Sequence, residues 1–480
     1  MMLTKRVAVR VPRRVRWAGS MVTVDNPYTG ETVAEVDEVD EPRMLAQIDD
    51  ATSAHDAWAT TRVSDRLQLL SRFVESFEAR SDAFARQVSM QMGKPLSQAQ
   101  GEMKTTVARA KTMMAFAEDA LADYHLDDRD GIQRKIAREP IGPVLLLCPW
   151  NYPMLCAINS LVPAIAAGNS VLVKMSDRTP LCADAFAECF DAAGAPSGLV
   201  QAFHASHDRV AQAISHPAIS FVNFTGSVEG GRAVYGTVAK RFIDVGLELG
   251  GKDAAYVCED ADLEQAVAGV VDGAFYNAGQ SCCGVERVYV HESVYSEFID
   301  RAKALTEEYV LGDPLNSLTT MGPVAQKRQP DFLRDQVEQA RSLGAQIVIG
   351  GQPCTDASGK GRFFQPTLAV DCTHEMSLMV EESFGPVVGV MSVASDEQAV
   401  DFMNDSPYGL TASIWTTDNA RANELAPKLD VGTVFQNRCD YLDPELPWSG
   451  RKASGKGVSL SHLAFNSFTR TKSYNLRRAK

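Results

Sequence analysis

Three side chains in this sequence are of the types needed for covalent acyl chemistry. Cys282 lies in the segment 277–284, where glycines on both sides of a cysteine pair indicate a tight loop that exposes a thiol. Glu248 ends an apolar run and precedes two glycines, which permit close backbone approach. Asn151 carries a side-chain amide in a stiff turn between Pro149 and Pro153. Together they would supply a nucleophile, a base and an oxyanion donor.

Cys282 taken alone also fits plain core packing, which is the commoner role of a cysteine. Spacing along the chain does not bring the three side chains together. The chemistry therefore depends on the elements that position them.

From about residue 141, short apolar runs alternate with Ala-rich segments of helical length, which predicts βαβ units and a largely parallel sheet. Right-handed crossovers would place the loops that follow the strands along one edge, where nucleotide cofactors bind. Asn151 and Glu248 both follow such runs. The predicted strands are 144–147, 171–173, 199–203, 221–224 and 243–247, and the predicted helices are 153–167 and 180–193.

Helical spacing over 40–125, interrupted by Gly93-Lys94-Pro95, precedes this block. A second alternating block covers about 253–445 and includes the apolar runs 254–257, 285–290, 345–349 and 387–393. There is no convincing internal repeat and no low-complexity linker. The pattern predicts two closely packed α/β domains.

The overall composition is that of a globular protein of 480 residues, with 45% hydrophobic and 22% charged residues. A net charge of −14 argues against nucleic acid as the main partner. No apolar run is long enough to predict a membrane span. Ten cysteines without a CxxC pair argue against a disulfide scaffold and a structural zinc site. We expect a cytoplasmic protein without a bound metal.

Residues 1–20 contain six Lys or Arg residues and no acidic residue. Such a leader is typical of an organelle transit peptide. A disordered extension, or a start codon placed upstream of a true first residue at Met21, explains it more simply, and we favour these two interpretations.

At this point the sequence resembles the aldehyde dehydrogenase superfamily, from Asn26 to about Ser473. Six motifs of that family occur in the expected order, which makes the resemblance very specific. They are Pro149-Trp150-Asn151-Tyr152-Pro153, Phe224-Thr225-Gly226-Ser227, Glu248-Leu249-Gly250-Gly251-Lys252, Gly279-Gln280-Ser281-Cys282, Glu381-Glu382-Ser383-Phe384-Gly385-Pro386 and Asn404-Asp405-Ser406-Pro407-Tyr408-Gly409-Leu410.

The resemblance implies a role for each of the three side chains. Cys282 attacks the aldehyde as a thiolate, the Asn151 amide and the Cys282 backbone N–H hold the oxyanion, and hydride passes to a nicotinamide. Glu248 then activates the water that hydrolyses the thioester. Glu248 favours hydrolysis over transfer to coenzyme A, because CoA-acylating members commonly lack a carboxylate at that position.

The resemblance also implies an α/β fold with a Rossmann-like cofactor domain, an α/β catalytic domain and a small β oligomerisation arm. Their expected bounds are 21–123 and 140–250 for the cofactor domain, 251–450 for the catalytic domain, and 124–139 and 451–480 for the arm and the C-terminal tail, behind the basic extension 1–20. Family members assemble through such an arm and a C-terminal strand that extends a neighbour's sheet. Residues 124–139 and 466–476 are the candidates for a homodimer or homotetramer.

An NAD site is expected, although the sequence lacks GxGxxG. In this family a different turn, matched here by Gly226-Ser227…Gly231, brings a helix N-terminus to the pyrophosphate. Val228 stands where relatives usually have Thr. The expected cofactor-binding residues are Trp150, Lys174, Ser176, Asp177, Gly226, Ser227, Gly231, Leu249, Glu382 and Phe384.

Other interpretations of some of these residues stay open. Phe384 also fits core packing, and Glu382 a solvated surface charge. Asp177 stands where NAD-preferring relatives often have Glu, which repels a 2′-phosphate, so we favour NAD. Lys174 and Ser176 could together hold a 2′-phosphate, which keeps NADP open.

The substrate is an aldehyde that the sequence does not identify. Some relatives that oxidise semialdehydes have Arg at the position of Asn159. The absence of an arginine at this position counts against succinate semialdehyde as the substrate. Arg438 could pair with a distal carboxylate from another wall, and a semialdehyde dehydrogenase with NADP preference is the alternative function. Cys283 either packs behind the nucleophile, which we favour, or protects it reversibly from oxidation. The expected pocket residues are Tyr152, Cys156, Asn159, Ser281, Cys283 and Arg438.

Two other classes of protein are disfavoured. A binding or structural relative would be expected to have lost Cys282, Glu248 or Asn151, and all three are present. A thiol hydrolase would need a histidine partner for Cys282, and the eight histidines occur in no accompanying motif.

Overall fold

A computed structural model describes residues 20–439 and 441–477 of the chain. The hypotheses about the basic extension concern residues 1–20, of which 1–19 lie outside this part. The first strand begins at Met21.

Fourteen α-helices form within the described residues. They are α1 Glu41–Trp58, α2 Val63–Ala79, α3 Ser81–Met92, α4 Leu96–Leu121, α5 Pro153–Ala167, α6 Leu181–Ala192, α7 His207–Ser215, α8 Val228–Val238, α9 Leu263–Phe275, α10 Tyr295–Thr306, α11 Gln329–Ser342, α12 Ser377–Val380, α13 Asp396–Asn404 and α14 Asn419–Leu425. Short 3₁₀ helices occur at Tyr276–Gly279, Glu292–Val294, Ala426–Lys428 and His462–Phe468.

The same residues form twenty-two strands. They are β1 Met21–Asp25, β2 Thr32–Asp37, β3 Tyr124–Arg129, β4 Ile132–Pro140, β5 Val144–Cys148, β6 Val171–Met175, β7 Val200–Ala202, β8 Phe221–Thr225, β9 Asp244–Glu248, β10 Asp253–Val257, β11 Val285–His291, β12 Gln346–Ile349, β13 Pro353–Cys354, β14 Phe363–Phe364, β15 Thr367–Val370, β16 Val387–Val393, β17 Tyr408–Gly409, β18 Thr411–Trp415, β19 Thr433–Gln436, β20 Arg451–Lys452, β21 Gly455–Lys456 and β22 Thr469–Arg477.

The first predicted βαβ block forms a sheet in the order β21-β9-β8-β5-β6-β7, in which β5 to β9 are parallel. Each predicted run in this block became a strand. The runs at 144–147 and 171–173 are apolar on both faces, as strands between covering helices require, whereas 243–247 alternates apolar residues with Asp244 and Gly246. The strand order reverses between β5 and β8. In open α/β sheets, ligands bind at the carboxyl ends of the strands beside such a reversal.

The second block forms a seven-stranded sheet in the order β12-β15-β16-β11-β10-β18-β19. Its strand pairs are parallel except for β12 with β15. The four apolar runs identified in this block lie in β10, β11, β12 and β16. The mixed α/β architecture with parallel sheets agrees with the predicted fold class.

Helices α2 to α6 pack together around the largest apolar core, on one side of the six-stranded sheet that contains β5 to β9. The Gly93-Lys94-Pro95 break lies between α3 and α4, as predicted. Helix α5 begins at Pro153, where a proline costs no hydrogen bond, and ends before Gly168, whose φ of +99° is left-handed. This helix is almost entirely buried and directly follows the turn that carries Asn151.

A three-stranded antiparallel sheet in the order β22-β4-β3 forms the predicted arm. Strand β22 pairs along its whole length with β4 of the same chain. Strand β21 belongs to the segment that was expected to form the tail, and it pairs with β9 of the six-stranded sheet. From the same segment, Phe465 and Phe468 lie in the core of α2 to α6. The described part of this segment, residues 451–477, therefore also contributes to the six-stranded sheet and to the core of α2 to α6.

No helix within residues 20–439 and 441–477 combines the length and apolarity needed to cross a bilayer.

Candidate active site

The carboxyl ends of β5, β6 and β8 open into a cavity of about 670 Å³. Its volume is typical of a site for a cofactor or substrate. Ten of the predicted site residues line this cavity: Trp150, Asn151, Lys174, Ser176, Gly226, Ser227, Glu248, Cys282, Glu382 and Phe384. The two βαβ blocks thus place the predicted nucleophile, oxyanion donor and base around one space.

Cys282 follows a tight loop whose backbone is unusual. Asn277, Ala278 and Gly279 have φ values of 52°, 55° and 67°, in the left-handed region that non-glycine residues rarely adopt. Hydrogen bonds hold this conformation: the Asn277 amide donates to Gln280 O at 3.1 Å, and the Gln280 amide donates to Asn277 O at 3.0 Å. The loop leaves Cys282 half-buried at the cavity.

A second thiol, Cys148, also lines the cavity. Burial and the nearby Glu248 charge raise the pKa of Cys148 to about 12. Because the thiolate is the attacking form, a thiol with so high a pKa is a poor nucleophile at neutral pH. Cys148 is therefore disfavoured as the nucleophile, which leaves Cys282 as the candidate among the two thiols that line the cavity.

Asn151 lies in the turn before α5, and a buried ion pair supports that turn. Glu102 accepts hydrogen bonds from the Met154 and Leu155 backbone N–H groups at 3.0 and 3.3 Å, which satisfies the free start of α5. Lys94 contacts the same carboxylate at 2.5 Å. Sequence analysis missed both residues, and the only signal was the Gly93-Lys94-Pro95 break.

Glu248 is the last residue of β9, and Thr225 Oγ1 donates a hydrogen bond to it at 3.2 Å. Burial raises the pKa of Glu248, while the hydroxyls of Ser459 and Thr225 and the Arg109 charge lower it; burial prevails. A carboxylate with a raised pKa suits a general base that works near neutral pH.

Ser227 caps the N-terminus of α8, where its Oγ accepts from Gly230 N at 3.1 Å. Gly231 and Leu249 pack against each other just outside the cavity lining. A Cβ at Gly231 would lie 2.5 Å from Leu249 Cδ2, so glycine allows α8 to approach β9. These two residues shape the wall, whereas Gly226 and Ser227 line the cavity itself.

Lys174 lies on β6 and lines the cavity. Its Nζ donates to Asp177 Oδ1 at 2.7 Å and to Met175 O at 3.0 Å. Asp177 does not line the cavity, but this ion pair brings its half-exposed carboxylate to the lysine that does.

Glu382 and Phe384 bring the catalytic domain to the cavity. Gly251 N donates to Glu382 Oε1 at 3.1 Å, and a Cβ at Gly250 would lie 2.2 Å from the same oxygen, so only glycine fits there. Burial and the Glu286 charge raise the pKa of Glu382 to about 8. Its half-buried position and its hydrogen bond from Gly251 N argue against a freely solvated surface charge. The Phe384 ring meets Trp150 edge to face, with centroids 5.4 Å apart.

This lining fits a dinucleotide. The capped N-terminus of α8 offers backbone N–H groups and a positive dipole to phosphate. Val210, Ile214 and Val234 form an apolar wall beside Lys174 and Ser176, and Trp150 and Phe384 form an aromatic wall beside Cys282. Sequence analysis missed the apolar wall because α7 has no motif of its own.

The six predicted substrate-pocket residues lie outside this cavity. Ser281 Oγ and Cys283 Sγ are 3.6 Å apart in the nucleophile loop, and Cys283 is buried. Asn159 is also buried, on α5. Arg438, the residue considered for a distal carboxylate, is exposed and its guanidinium lies 3.8 Å from the centre of the Tyr441 ring.

A different arginine reaches Asn159. Arg109 of α4 donates from Nη1 to Asn159 Oδ1 at 2.9 Å and is only 3% exposed. Burial lowers the pKa of Arg109, while the nearby Cys156 and Glu248 groups raise it. Sequence analysis missed Arg109, since a single arginine in a helical segment gives no signal of burial.

Within the described residues, no three His, Cys, Asp or Glu side chains are grouped to hold a metal ion.

Comparison with known proteins decides the family. Residues 16–474 match the model of the aldehyde dehydrogenase family. The chain is 34% identical to the succinate semialdehyde dehydrogenase Sad of Escherichia coli K12, over 92% of this chain and 95% of that protein. It is 32% identical to a betaine aldehyde dehydrogenase of Sinorhizobium fredii, over 95% and 93%.

The chain belongs to the aldehyde dehydrogenase family. A solved structure of a Staphylococcus aureus betaine aldehyde dehydrogenase in complex with NAD⁺ superposes with a TM-score of 0.92, at 28% identity, over 96% of this chain and 93% of that chain. The predicted family and fold are confirmed. This aldehyde dehydrogenase is an oxidoreductase that uses NAD(P), and the cavity described above is its candidate active site.

Proposed function

We propose that this enzyme oxidises an aldehyde to a carboxylic acid through a thioester on Cys282, which Glu248 hydrolyses. The observation that carries the proposal is the shared cavity: Cys282, Asn151 and Glu248 line it together with the residues that fit a dinucleotide. Cys282 as thiolate attacks the carbonyl carbon, and the carbonyl oxygen becomes an oxyanion. The Asn151 amide and the Cys282 backbone N–H donate to that oxyanion.

The nicotinamide, when bound, accepts the hydride that leaves the former carbonyl carbon. Trp150 and Phe384, whose rings meet edge to face, line the same cavity as Cys282 and give it an aromatic wall. After oxidation, Glu248 takes a proton from a water molecule whose oxygen attacks the thioester carbonyl. The C–S bond breaks, Cys282 regains its thiolate, and the acid is released. A base in this position supports hydrolysis rather than transfer to coenzyme A.

The direct test is NADH absorbance on mixing the purified enzyme with NAD⁺ and an aldehyde. We expect aldehyde-dependent NADH formation that the Cys282→Ala variant lacks. Cys354→Ala is the matched control, because Cys354 lies in β13 and does not line the cavity. Activity that survives Cys282→Ala, or turnover without reduction of NAD⁺, would contradict the proposal.

For the cofactor, we propose a preference for NAD. The Asp177 carboxylate is bound to Lys174 at 2.7 Å, so the lysine at the cavity is already paired with an anion. A 2′-phosphate at that position would meet the Asp177 charge. A ratio of kcat/KM that favours NADP would overturn this preference.

We also propose that the enzyme is a cytoplasmic homodimer or homotetramer. All ten cysteines lie within the described residues and none forms a disulfide, which suits a reducing compartment. Strand β22 is the outer strand of the arm sheet, so one edge is available to a neighbouring subunit. The molecular mass in solution decides between two and four subunits, and cell fractionation tests the compartment.

The identity of the aldehyde is open at this stage. The relatives named above for succinate semialdehyde and for betaine aldehyde act on substrates of opposite charge. Their identities to this chain are similar, so similarity alone does not decide the charge of the substrate here.

A further inference from the structure

Arg109 lies at the centre of a contact between α4, α5 and the loop after β19. Its Nη1 donates to Asn159 Oδ1 at 2.9 Å, and its Nη2 is 3.5 Å from Leu442 O, at the limit of a hydrogen bond. The side chain is only 3% exposed, and its Nε has no hydrogen-bond partner in the described structure. A guanidinium carries five N–H donors, and most of them are left for another acceptor.

No carboxylate within residues 20–439 and 441–477 forms a salt bridge with Arg109. Two buried lysines near the site are paired with carboxylates: Lys94 with Glu102 at 2.5 Å, and Lys252 with Glu286 at 2.5 Å. Burying a charge without a counterion is costly, and buried charges in proteins are usually paired.

The buried arginines Arg66 and Arg287 also form no salt bridge in the described structure, but each donates several hydrogen bonds to backbone carbonyl oxygens. Among the described residues, Arg109 is the buried arginine near the site whose donors are mostly unused, so its guanidinium can accept a carboxylate of the substrate as a partner.

The position of Arg109 relates it to the substrate rather than to the cofactor. It does not line the cavity that fits the dinucleotide. The groups that act on its charge include Cys156 and Cys283, two of the residues expected along the substrate path, and the base Glu248. Cys156 and Asn159 are three residues apart on α5, and therefore on one face of that helix. The guanidinium thus lies beside residues that are expected to line the substrate pocket, rather than beside the residues that fit the dinucleotide.

The neighbouring aromatic rings do not offer a site for a cationic substrate. A quaternary ammonium group binds over the open faces of aromatic rings. Lys94 Nζ already lies 3.8 Å from the centre of the Tyr152 ring, and the Arg438 guanidinium lies 3.8 Å from the centre of the Tyr441 ring. One face of each ring is therefore covered by a positive charge, and Arg109 adds a third cation.

We propose that Arg109 binds the substrate's remote carboxylate, so that this enzyme prefers aldehydes that carry a carboxylate at the end away from the aldehyde group. The inference rests on the proposed function and adds the chemical class of the substrate. Arg109 supplies from α4 the guanidinium that position 159 lacks, and Asn159 orients it through its side-chain oxygen. Arg109 is therefore a specificity residue, and Asn159 is a positioning residue.

The first test compares three straight-chain aldehydes of equal length that end in a carboxylate, a methyl ester or a trimethylammonium group. For the unchanged enzyme we expect kcat/KM to be highest for the carboxylate and lowest for the ammonium compound. Because a hydrogen bond between two charged groups is strong, kcat/KM for the carboxylate should exceed kcat/KM for the ester by about 10- to 100-fold. Equal values for all three, or a preference for the ammonium compound, would overturn the proposal.

The second test changes the arginine. Arg109→Gln should lower kcat/KM for the carboxylate by about 10- to 100-fold, mainly through KM, and change the value for the ester only slightly. Arg109→Lys should retain part of the preference, because it keeps the charge but not the planar pair of donors. If Arg109 had a purely structural role, its replacement would lower kcat/KM for all three substrates together. That result would contradict the proposal.

Two further variants control for folding. Lys111→Gln removes a charge from the exposed face of the same helix, where Lys111 meets Glu78 at 3.5 Å, and should leave the preference unchanged. Asn159→Ala keeps the guanidinium but removes its oriented acceptor, and should reduce the preference partly. If Arg109→Gln does not fold, the Asn159→Ala ratio of carboxylate to ester decides: an unchanged ratio would contradict the proposal.

A measurement of binding separates this proposal from the proposed function. Calorimetric titration with succinate and with its dimethyl ester requires no turnover. We expect succinate to bind the unchanged enzyme more tightly than the ester, and Arg109→Gln to abolish the difference. Absence of turnover together with this pattern would refute the catalytic proposal only. Turnover without any effect of Arg109→Gln on succinate binding would refute the carboxylate site only.

Discussion

The side-chain amide of Asn277 donates a hydrogen bond of 3.2 Å to the backbone carbonyl of Asn151. The two residues are far apart in the chain and belong to different blocks of the fold. This bond joins the loop that ends at Cys282 to the turn that carries the oxyanion donor. Because Asn277 has a φ of 52°, the same residue also sets the unusual path of the nucleophile loop.

Replacing Asn277 by glycine should therefore lower turnover. Glycine adopts the positive φ without strain but cannot donate the hydrogen bond, so the two loops lose their connection. Small misplacements of reacting groups are costly, and we expect kcat to fall about 10- to 100-fold. Asp130→Gly is the matched control, because Asp130 has a φ of 53° in the turn of the exposed arm. Equal activity of the two variants would show that the bond is dispensable.

Asn151→Ala should leave a folded protein with little activity. The amide lines the cavity beside Cys282, and removing one oxyanion donor typically lowers turnover by about 100- to 1000-fold. The structural contacts of residue 151 use its backbone carbonyl, which alanine keeps. We expect an unchanged melting temperature alongside the lost kcat. Near-normal turnover would remove Asn151 from the proposed mechanism.

Glu248→Gln should stop the reaction at the thioester. Glutamine cannot take the proton from water, whereas attack by Cys282 and oxidation do not need Glu248. Rapid mixing should show a burst of about one NADH per active site followed by very slow turnover. Loss of the burst itself would place Glu248 in an earlier step.

The pH dependence of hydrolysis should follow the raised pKa of Glu248. A raised pKa keeps the carboxyl protonated, and inactive as a base, up to a higher pH than for an ordinary glutamate. The rate of thioester hydrolysis should therefore rise with pH through that pKa. Since the Thr225 hydroxyl lowers the pKa, Thr225→Val should move the rise to higher pH. A single-turnover pH profile measures both, and a shift to lower pH would contradict the assignment.

Asp177→Asn should weaken the discrimination against NADP. The change removes the negative charge beside Lys174 and frees the lysine for a 2′-phosphate. We expect the ratio of kcat/KM for NADP to that for NAD to rise about tenfold, which corresponds to about 1.4 kcal/mol. Asp191→Asn, an exposed change on α6 of the same domain, serves as the control. No change in the ratio would leave cofactor choice to other residues.

Asp25 should make stability depend on acidity. It contacts Arg178 at 2.5 Å and Arg362 at 3.0 Å, and so links the start of the chain to both blocks. Burial raises its pKa, but the hydrogen bonds and charges of the two arginines lower it more, to about 2. A lowered pKa contributes stability that is complete above the ordinary value near 4 and is lost as pH falls towards 2. The contribution is roughly 2 kcal/mol.

Asp25→Asn should lose this contribution already at neutral pH. The denaturant midpoint of the variant should be lower at pH 7 and converge with that of the unchanged protein near pH 2. Asp49→Asn, on the exposed face of α1, should match the unchanged protein throughout. Parallel curves for Asp25→Asn and the unchanged protein would exclude the ion-pair explanation.

Much of the fold was predictable because many of its strands are marked by apolar runs in the local sequence. The runs at 144–147 and 387–393 are apolar on both faces, as buried parallel strands require, and both formed. β18, whose five residues are all buried, and β19 were not predicted. β18 takes its place by pairing with β10, which lies far away in the chain, and β19 takes its place by pairing with β18. Short strands with mixed composition show no periodicity that would identify them.

The sequence by itself determined the family, and its motifs around Cys282, Glu248 and Asn151 predicted a nucleophile, a base and an oxyanion donor, because side-chain type sets what each group can do. Only the tertiary structure decided which side chains meet. Arg109 and Asn159 carry no joint signal in the chain, yet the packing of α4 against α5 brings them to 2.9 Å. The burial of Arg109, which forms no salt bridge with any carboxylate of the described residues, is a property of the folded core. The residue that we propose selects the substrate therefore became visible only after folding.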